Sequence, residues 1–350
     1  MTVRVGFLGA GLIATFHSKM LRHSGADATW AGVFDPDAER RDAFARASGA
    51  RACASEEEVL DTCDAVYVCT WTSEHPRLVA AAVERGLPVF CEKPLGVDLA
   101  SAAAMTSAVQ VSGITNQVGL ILRSSPAFTL VRELIGEPAS GRVMAAVFRD
   151  DQFIPVQGHY GSTWRGDVAR AGSGTLLEHS IHDLDLLEWL LGPVTSVGAR
   201  SREFHAIAGI EDVVATCVGF ASGAVGTLTS IWHDVLGRGS LRRLEIFCER
   251  AHVVVEGDDW FGPVRWTPAA TDAETLEWSG DALVAEVGRR GVALSNPDGR
   301  FVTAAAAHEP TWPDFAVALR AHVVADAVYR SAAAEGAPVA VPPGVPEPRG

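Results

Sequence analysis

The sequence predicts an α/β chain of two domains. The first is a doubly wound parallel-sheet domain; the second is an α+β domain built on a large, mainly antiparallel sheet. Three observations lead there. A short apolar run at residues 3–8 passes into Gly9-Ala10-Gly11-Leu12-Ile13-Ala14. Short apolar segments then alternate with helix-patterned ones to residue 121, the rhythm of a βαβ sheet. Beyond residue 140, strand patterns follow one another without helices between them, which implies antiparallel pairing.

The first elements form a strand, a glycine turn and a helix, the last over residues 15–22. Gly9 permits the tight turn, Gly11 lets backbone approach a pyrophosphate, and Ala14 keeps the third position small. The helix start offers free N–H groups and the positive end of a dipole to phosphate. Gly9, Ala10, Gly11, Leu12 and Ile13 are therefore cofactor candidates in a Rossmann domain. A second strand, 29–34, ends in Asp35. Its carboxylate can accept from both hydroxyls of an adenosine ribose and repels a 2′-phosphate, so NAD is favoured over NADP. Arg40 and Arg41 keep NADP open, and Asp35-Pro36 also suits a helix start.

A short helix at 56–60 precedes a nearly all-apolar strand at 65–70, the mark of a strand buried on both faces. The polar loop Trp71-Thr72-Ser73-Glu74-His75-Pro76 follows. A helix at 78–85 closes at Gly86, a strand fills 88–91, a helix spans 99–111, and the last strand covers 117–121. Ligands of open α/β sheets bind outside the carboxyl ends of the strands. That aims Thr70, Trp71, His75, Glu92 and Lys93 at the cofactor edge. Lys93 is one of two lysines beside 27 arginines. A Lys kept against such a bias is wanted for an ammonium's compact donor geometry and titratability, which a guanidinium lacks.

The second informative segment runs from Gly172-Ser173-Gly174 to Gly192-Pro193. The glycines lead into an amphipathic helix that stops at a normal C-terminal signal. Ile181, Leu184, Leu187 and Leu191 form its apolar stripe. Glu178, His182 and Asp185 share a face at i, i+4 and i+7, so the Glu178 carboxylate can orient the His182 imidazole and raise its basicity. A solvated charged face has the same spacing. His179 and His182 fit a zinc pair in spacing alone, with no third ligand signalled, so no metal is expected. His179 reads as a packed or partly exposed helix residue.

The remaining strands lie at 141–149, 194–204, 212–220, 224–232, 241–248 and 252–256. Residues 150–164 read as a long loop, often a binding element. Tyr160, Trp164 and Arg165 are its substrate candidates. A final helix covers 312–330, and 342–349 read as a disordered tail. The domains are taken as residues 1–122, 123–335 and a C-terminal segment 336–350.

Bulk properties exclude other classes. A net charge of −14 with no basic tract argues against nucleic acid. No stretch approaches the roughly 18 uninterrupted apolar residues of a membrane span. The N-terminus lacks a signal-peptide pattern, and six cysteines include no Cys-x-x-Cys pair, so a reduced cytoplasmic protein is expected.

Gly9–Ala14, the loop ending in His75, and Cys91-Glu92-Lys93-Pro94-Leu95 resemble the glucose–fructose oxidoreductase / inositol dehydrogenase / rhizopine catabolism (Gfo/Idh/MocA) family. The similarity extends to Glu178, His182, Asp185 and Trp189–Gly192, and to Arg123 with Pro126 and Phe128. Many members carry Asp where Glu178 stands. The resemblance implies NAD-dependent oxidation of a secondary hydroxyl of a sugar, sugar derivative or cyclitol. It implies Lys93, His182 and Glu178 as catalytic residues, with Lys93, Arg123, Tyr160, Trp164, Arg165 and His182 around substrate. Whether Lys93 or His182 takes the proton stays open. A homodimer or homotetramer is implied through the second domain's sheet. A redox-cycling glycoside hydrolase and a nucleotide-sensing regulator share the same fold.

Overall fold

The computed structural model describes residues 2–157, 161–270, 272 and 274–344. It comprises two compact units, one of residues up to Leu120 with Ser295–Leu319, the other of Ile121–Leu294 with the chain from Arg320 onward.

The first unit alternates strands and helices: β1 (Val3–Leu8), α1 (Leu12–Ser24), β2 (Ala28–Phe34), α2 (Ala38–Ser48), β3 (Arg51–Ala52), α3 (Glu56–Leu60), β4 (Ala65–Val68), α4 (His75–Glu84), β5 (Val89–Cys91), α5 (Leu99–Ser112) and β6 (Asn116–Val118). Its six strands are ordered β3-β2-β1-β4-β5-β6 and all pair in parallel. Every residue of β4 and β5 is buried, as apolar strands covered by helices on both faces must be. The helices start where the sequence supplies caps. Asp37 accepts from Glu39 and Arg40 N–H, and Asp98 forms a reciprocal capping box with Ser101. Strand order reverses between β1 and β4, so the crevice of this unit opens at their carboxyl ends.

The second unit begins with α6 (Pro126–Gly136) and β7 (Val143–Phe153), passes three helices, α7 (Val168–Ala171), α8 (Thr175–Glu178) and α9 (Ile181–Leu191), and continues as β8 (Val194–Arg202), β9 (Val213–Phe220), β10 (Val225–His233), β11 (Leu241–Cys248), β12 (Ala251–Asp258), β13 (Gly262–Pro268), β14 (Leu276–Trp278) and α10 (Gly280–Arg289). The nine-stranded sheet, closed at one edge by β15 (Val339–Ala340), is ordered β14-β13-β12-β11-β7-β10-β9-β8-β15. Its pairs are antiparallel except β7 with β10. Burial alternates along the strands. Phe148, Leu228, Trp232, Leu244 and Ile246 face inward, while Val147, Thr227, Cys217 and Phe247 lie on the open face.

The structure departs from the sequence reading in three places. Residues 295–319 do not belong with the second domain. Helix α11 (Pro297–Ala307) buries Phe301, Val302 and Ala305 among Phe7, Tyr67 and Phe90, and Phe315 at the start of α12 (Phe315–Ala333) packs with Leu95, Val118 and Leu120. Strand β7 extends to Phe153, so the long loop starts later than its composition suggests. The expected tail falls partly outside the described residues, but Pro342 is tied down: its carbonyl accepts from Arg320 at 2.6 Å.

Candidate active site

The glycine turn is built as a phosphate cradle. Gly9 has φ +94°, and a Cβ there meets the Cys69 carbonyl oxygen at 2.3 Å. Only glycine fits. Gly9 N–H donates to Phe34 O at 2.8 Å, stitching the turn to the end of β2. At Gly11, the N-cap of α1, a Cβ meets nothing within 4 Å, so the ground before the helix start is open. Asp35 stands beside the turn, accepting from Ala10 N–H at 2.8 Å and Asp37 N–H at 2.9 Å. A bare helix N-terminus, open ground above Gly11 and an acid at the end of β2 fit a dinucleotide. Gly9→Ala forces both a backbone clash and a left-handed φ, a strain of about 1–3 kcal/mol or more. It is expected to abolish NADH binding, read by fluorescence titration, and to lower the melting temperature.

The segment after β5 holds Lys93 by a lattice of inward contacts. Glu92 does not face the cofactor edge as expected. Its carboxylate turns into the unit, where Oε1 lies 2.7 Å from His17 Nε2 and Oε2 accepts from Lys93 N–H at 3.0 Å. The other nitrogen of His17, Nδ1, lies 2.8 Å from Asp298 Oδ1 of α11. Gly119 makes the room: a Cβ there falls 2.3 Å from Glu92 Oε1. His75 is also buried, not turned outward, and its Nδ1 lies 3.1 Å from Pro94 O and 3.2 Å from Leu95 O. It braces the loop that carries Lys93. Lys93 itself is half-buried, and its ammonium stem leaves a backbone fixed on both sides.

Burial by itself lowers the pKa of His17, but the charges and hydrogen bonds of Asp298 and Glu92 outweigh it and raise it to about 10. Glu92 moves down despite its burial, through His17 and the Lys93 charge. Because the folded pKa of His17 is raised from 6.5, its stabilisation is complete below that pH and is lost as pH climbs through about 10.

In the second unit the expected single helix is two. α8 ends at Glu178, and α9 starts at Ile181 after His179 leaves helical geometry (φ −121°, ψ −62°). Tertiary contacts cause the break. Ser180 Oγ reaches Ser230 Oγ at 2.6 Å and Asp150 at 3.3 Å, and His179 Nε2 lies 2.9 Å from Asp150 Oδ2. Glu178 is buried and accepts from Arg165 Nε at 3.0 Å. Arg165 also donates to Ser162 Oγ at 2.9 Å and stacks 4.5 Å from the Trp164 ring, so Trp164 and Arg165 act together to place that carboxylate. His182 is buried on α9. Asp185 is engaged by the first residues of the second unit. It chelates Arg123, with Nε to Oδ2 at 2.7 Å and Nη2 to Oδ1 at 2.5 Å. Arg123, expected to meet substrate, has a side chain only 3% exposed and braces α9 instead. Tyr160 lies outside the described residues.

Beneath α9 a buried cluster escapes sequence reasoning altogether. Arg242 of β11 reaches Asp183 Oδ1 at 2.8 Å, Asp150 Oδ2 at 2.9 Å and Asp259. Burial, then the neighbouring Asp150 charge, raises the Asp183 pKa to about 7. Among the described residues no group of three or more His, Cys, Asp or Glu has the geometry to hold a metal ion.

Two family models match this chain. Residues 3–120 match the oxidoreductase family with an NAD-binding Rossmann fold, and residues 128–254 match the Gfo/Idh/MocA C-terminal domain. The chain belongs to the Gfo/Idh/MocA oxidoreductase family. An inositol 2-dehydrogenase of Saccharopolyspora erythraea is 30% identical over 267 residues, covering 73% of this chain and 74% of that protein. An inositol 2-dehydrogenase of Rhizobium meliloti is 29% identical over 343 residues, covering 95% and 98%. A levoglucosan dehydrogenase solved with NADH superposes with a TM-score of 0.84 over 98% of this chain and all of that one, at 22% identity, a likeness of fold. As a family member this chain is an NAD-dependent oxidoreductase acting on CH–OH groups.

Proposed function

We propose that the protein is a dehydrogenase that oxidises a secondary hydroxyl of a sugar, sugar derivative or cyclitol with NAD. One observation carries the reading. Lys93 is held at the carboxyl end of β5, one strand from the switch point where Gly9 and Asp35 form the dinucleotide cradle. When bound, the nicotinamide supplies the acceptor for the hydrogen on the carbinol carbon. His182 takes the hydroxyl proton, while Glu178 is held by Arg165. Lys93 donates a hydrogen bond to the reacting oxygen and stabilises the negative charge that develops there. Trp164 and Arg165 border the substrate. Relatives named as inositol dehydrogenases and a 1,5-anhydro-D-fructose reductase support a polyol substrate.

The test is NADH production across cyclitols, aldoses and anhydrosugars with NAD and NADP. Steady turnover on a polyol supports the reading. Tightly retained NADH with glycoside cleavage but no net NADH points to a redox-cycling hydrolase, and nucleotide binding without turnover points to a regulator. Asp35→Ala is expected to weaken NADH by about tenfold, as loss of a charged hydrogen-bonding group does, and to narrow the preference over NADPH. An unchanged cofactor ratio removes Asp35 from ribose recognition.

The open face of the nine-stranded sheet suits self-association. Val225, Val147 and Phe247 are 60%, 45% and 39% exposed there. Contiguous apolar exposure on a sheet marks an interaction surface. A homodimer or homotetramer through this face is testable by light scattering. The six free thiols, five of them buried, suit a reducing cytoplasm. Among the described residues no helix is long and apolar enough to cross a membrane.

A further inference from the structure

His17 lies in the middle of α1, where one face of a Rossmann helix ordinarily packs apolar side chains on the sheet. It is fully buried there, with Phe90 at 4.7 Å and Tyr67 at 6.0 Å between ring centroids. Both of its nitrogens meet carboxylates, Glu92 at 2.7 Å and Asp298 at 2.8 Å. Tyr67 of β4 and the thiols of Cys69 and Cys91 are further titratable groups beside these acids. A carboxylate–imidazolium–carboxylate row in an aromatic casing is an expensive way to fill a core, because each charge must be taken out of water. Its geometry explains what it accomplishes. Glu92 uses one oxygen on His17 and the other on the backbone N–H of Lys93. The contact thus runs from the helix that begins at the phosphate cradle to the residue that carries the ammonium.

We propose that His17 is a positioning residue. With Glu92 and Asp298 it locks α1, the Lys93 backbone and the returning helix α11 into one frame, and so fixes where the Lys93 ammonium is presented. The proposal rests on the role given to Lys93 above. His17 also offsets the Glu92 charge. Without it, Lys93 stands beside an uncompensated carboxylate; without the carboxylate, Lys93 loses that negative neighbour while the imidazolium stays paired with Asp298. The two losses act on the Lys93 ammonium with opposite sign.

The chain's two lysines make the test direct. The full-length protein is reductively methylated with 13C-formaldehyde, and the dimethyl-lysine signals of Lys93 and the exposed Lys19 are titrated by NMR. In His17→Gln the Lys93 midpoint is expected to rise by about half a pH unit or more, and in Glu92→Gln to fall by a similar amount, with Lys19 unmoved in both. A merely structural role moves both midpoints alike or neither. NADH affinity, read by fluorescence, should stay within about threefold. Turnover on the best polyol of the panel should fall by roughly ten- to a hundredfold in kcat, the usual consequence of displacing a reacting group by a fraction of an ångström. Should His17→Gln fail to fold, His17→Asn takes its place and is read for the same upward shift of the Lys93 midpoint. Lys93 midpoints unchanged in the folded variants overturn the proposal. Full turnover in Lys93→Ala overturns instead the reading of the site on which it rests, and the NMR arm is blind to that failure.

Discussion

Lys93→Ala is expected to lower turnover by roughly a hundred- to a thousandfold, the usual cost of removing one preorganised donor to a developing oxyanion. NADH should bind nearly as before. The pyrophosphate cradle at Gly9 and Gly11 and the carboxylate at Asp35 are set by backbone contacts in which Lys93 has no part. Lys93→Arg should not restore activity. A guanidinium is planar and wider, and it cannot place a compact donor from a loop held by Glu92 beneath and His75 behind. Steady-state kinetics alongside NADH fluorescence separates the two effects. A variant that binds NADH and turns over near the parental rate removes Lys93 from the chemistry.

The largest stability effect is expected at Arg242→Met. Arg242 is the shared counter-ion of Asp150, Asp183 and Asp259 beneath α9. Taking one partner out of a buried ionic cluster costs about 3–5 kcal/mol, because the remaining charges stay desolvated. The damage should shrink at acid pH, where the carboxyls can protonate. Asp183→Asn has the opposite outcome. The folded pKa of Asp183 is raised from 3.8 to about 7. Between those values the folded chain holds a proton that the unfolded chain has released, so its contribution to stability falls as pH rises through that window. Asparagine keeps an oxygen for Arg242 and has no such proton to lose. The variant should therefore gain of order 4 kcal/mol over the parent at pH 8, about 1.4 kcal/mol for each unit between the two pKa values, and nothing near pH 4. Urea denaturation at the two pH values reads both variants, and an equal response at both removes Asp183 from the pH dependence.

The strands and turns of the first unit were readable because their signals are local. Gly9 announces a tight turn, and the apolar run at β4 announces burial on both faces. The inward fate of Glu92 was not readable. One sequence places it next to Lys93 in a motif, and only the fold shows that His17 meets it with one ring nitrogen while Asp298, 281 positions from His17, meets the other. The same holds for the break at His179-Ser180. Helical spacing favoured continuity, and the tertiary hydrogen bonds to Ser230 and Asp150 overrode it. Arg123 was expected at substrate through the family resemblance, and Asp185 on one face with Glu178 and His182. They chelate each other, and nothing in the spacing of 62 residues foretold it. β13 and β14 went unread because the segments are short and their apolar residues few.

The return of residues 295–319 to the first unit has a consequence during synthesis. When Leu120 leaves the ribosome, the nascent sheet still lacks Phe301, Phe315 and the carboxylate that faces His17. At 5–20 residues per second the missing piece arrives roughly ten to forty seconds later. Through that interval the dinucleotide-binding unit is an unfinished sheet whose Phe7, Tyr67 and Phe90 lack the cover of α11. A fragment truncated after Leu120 should aggregate or recruit chaperones, whereas the same fragment joined by a short linker to 295–319 should become soluble.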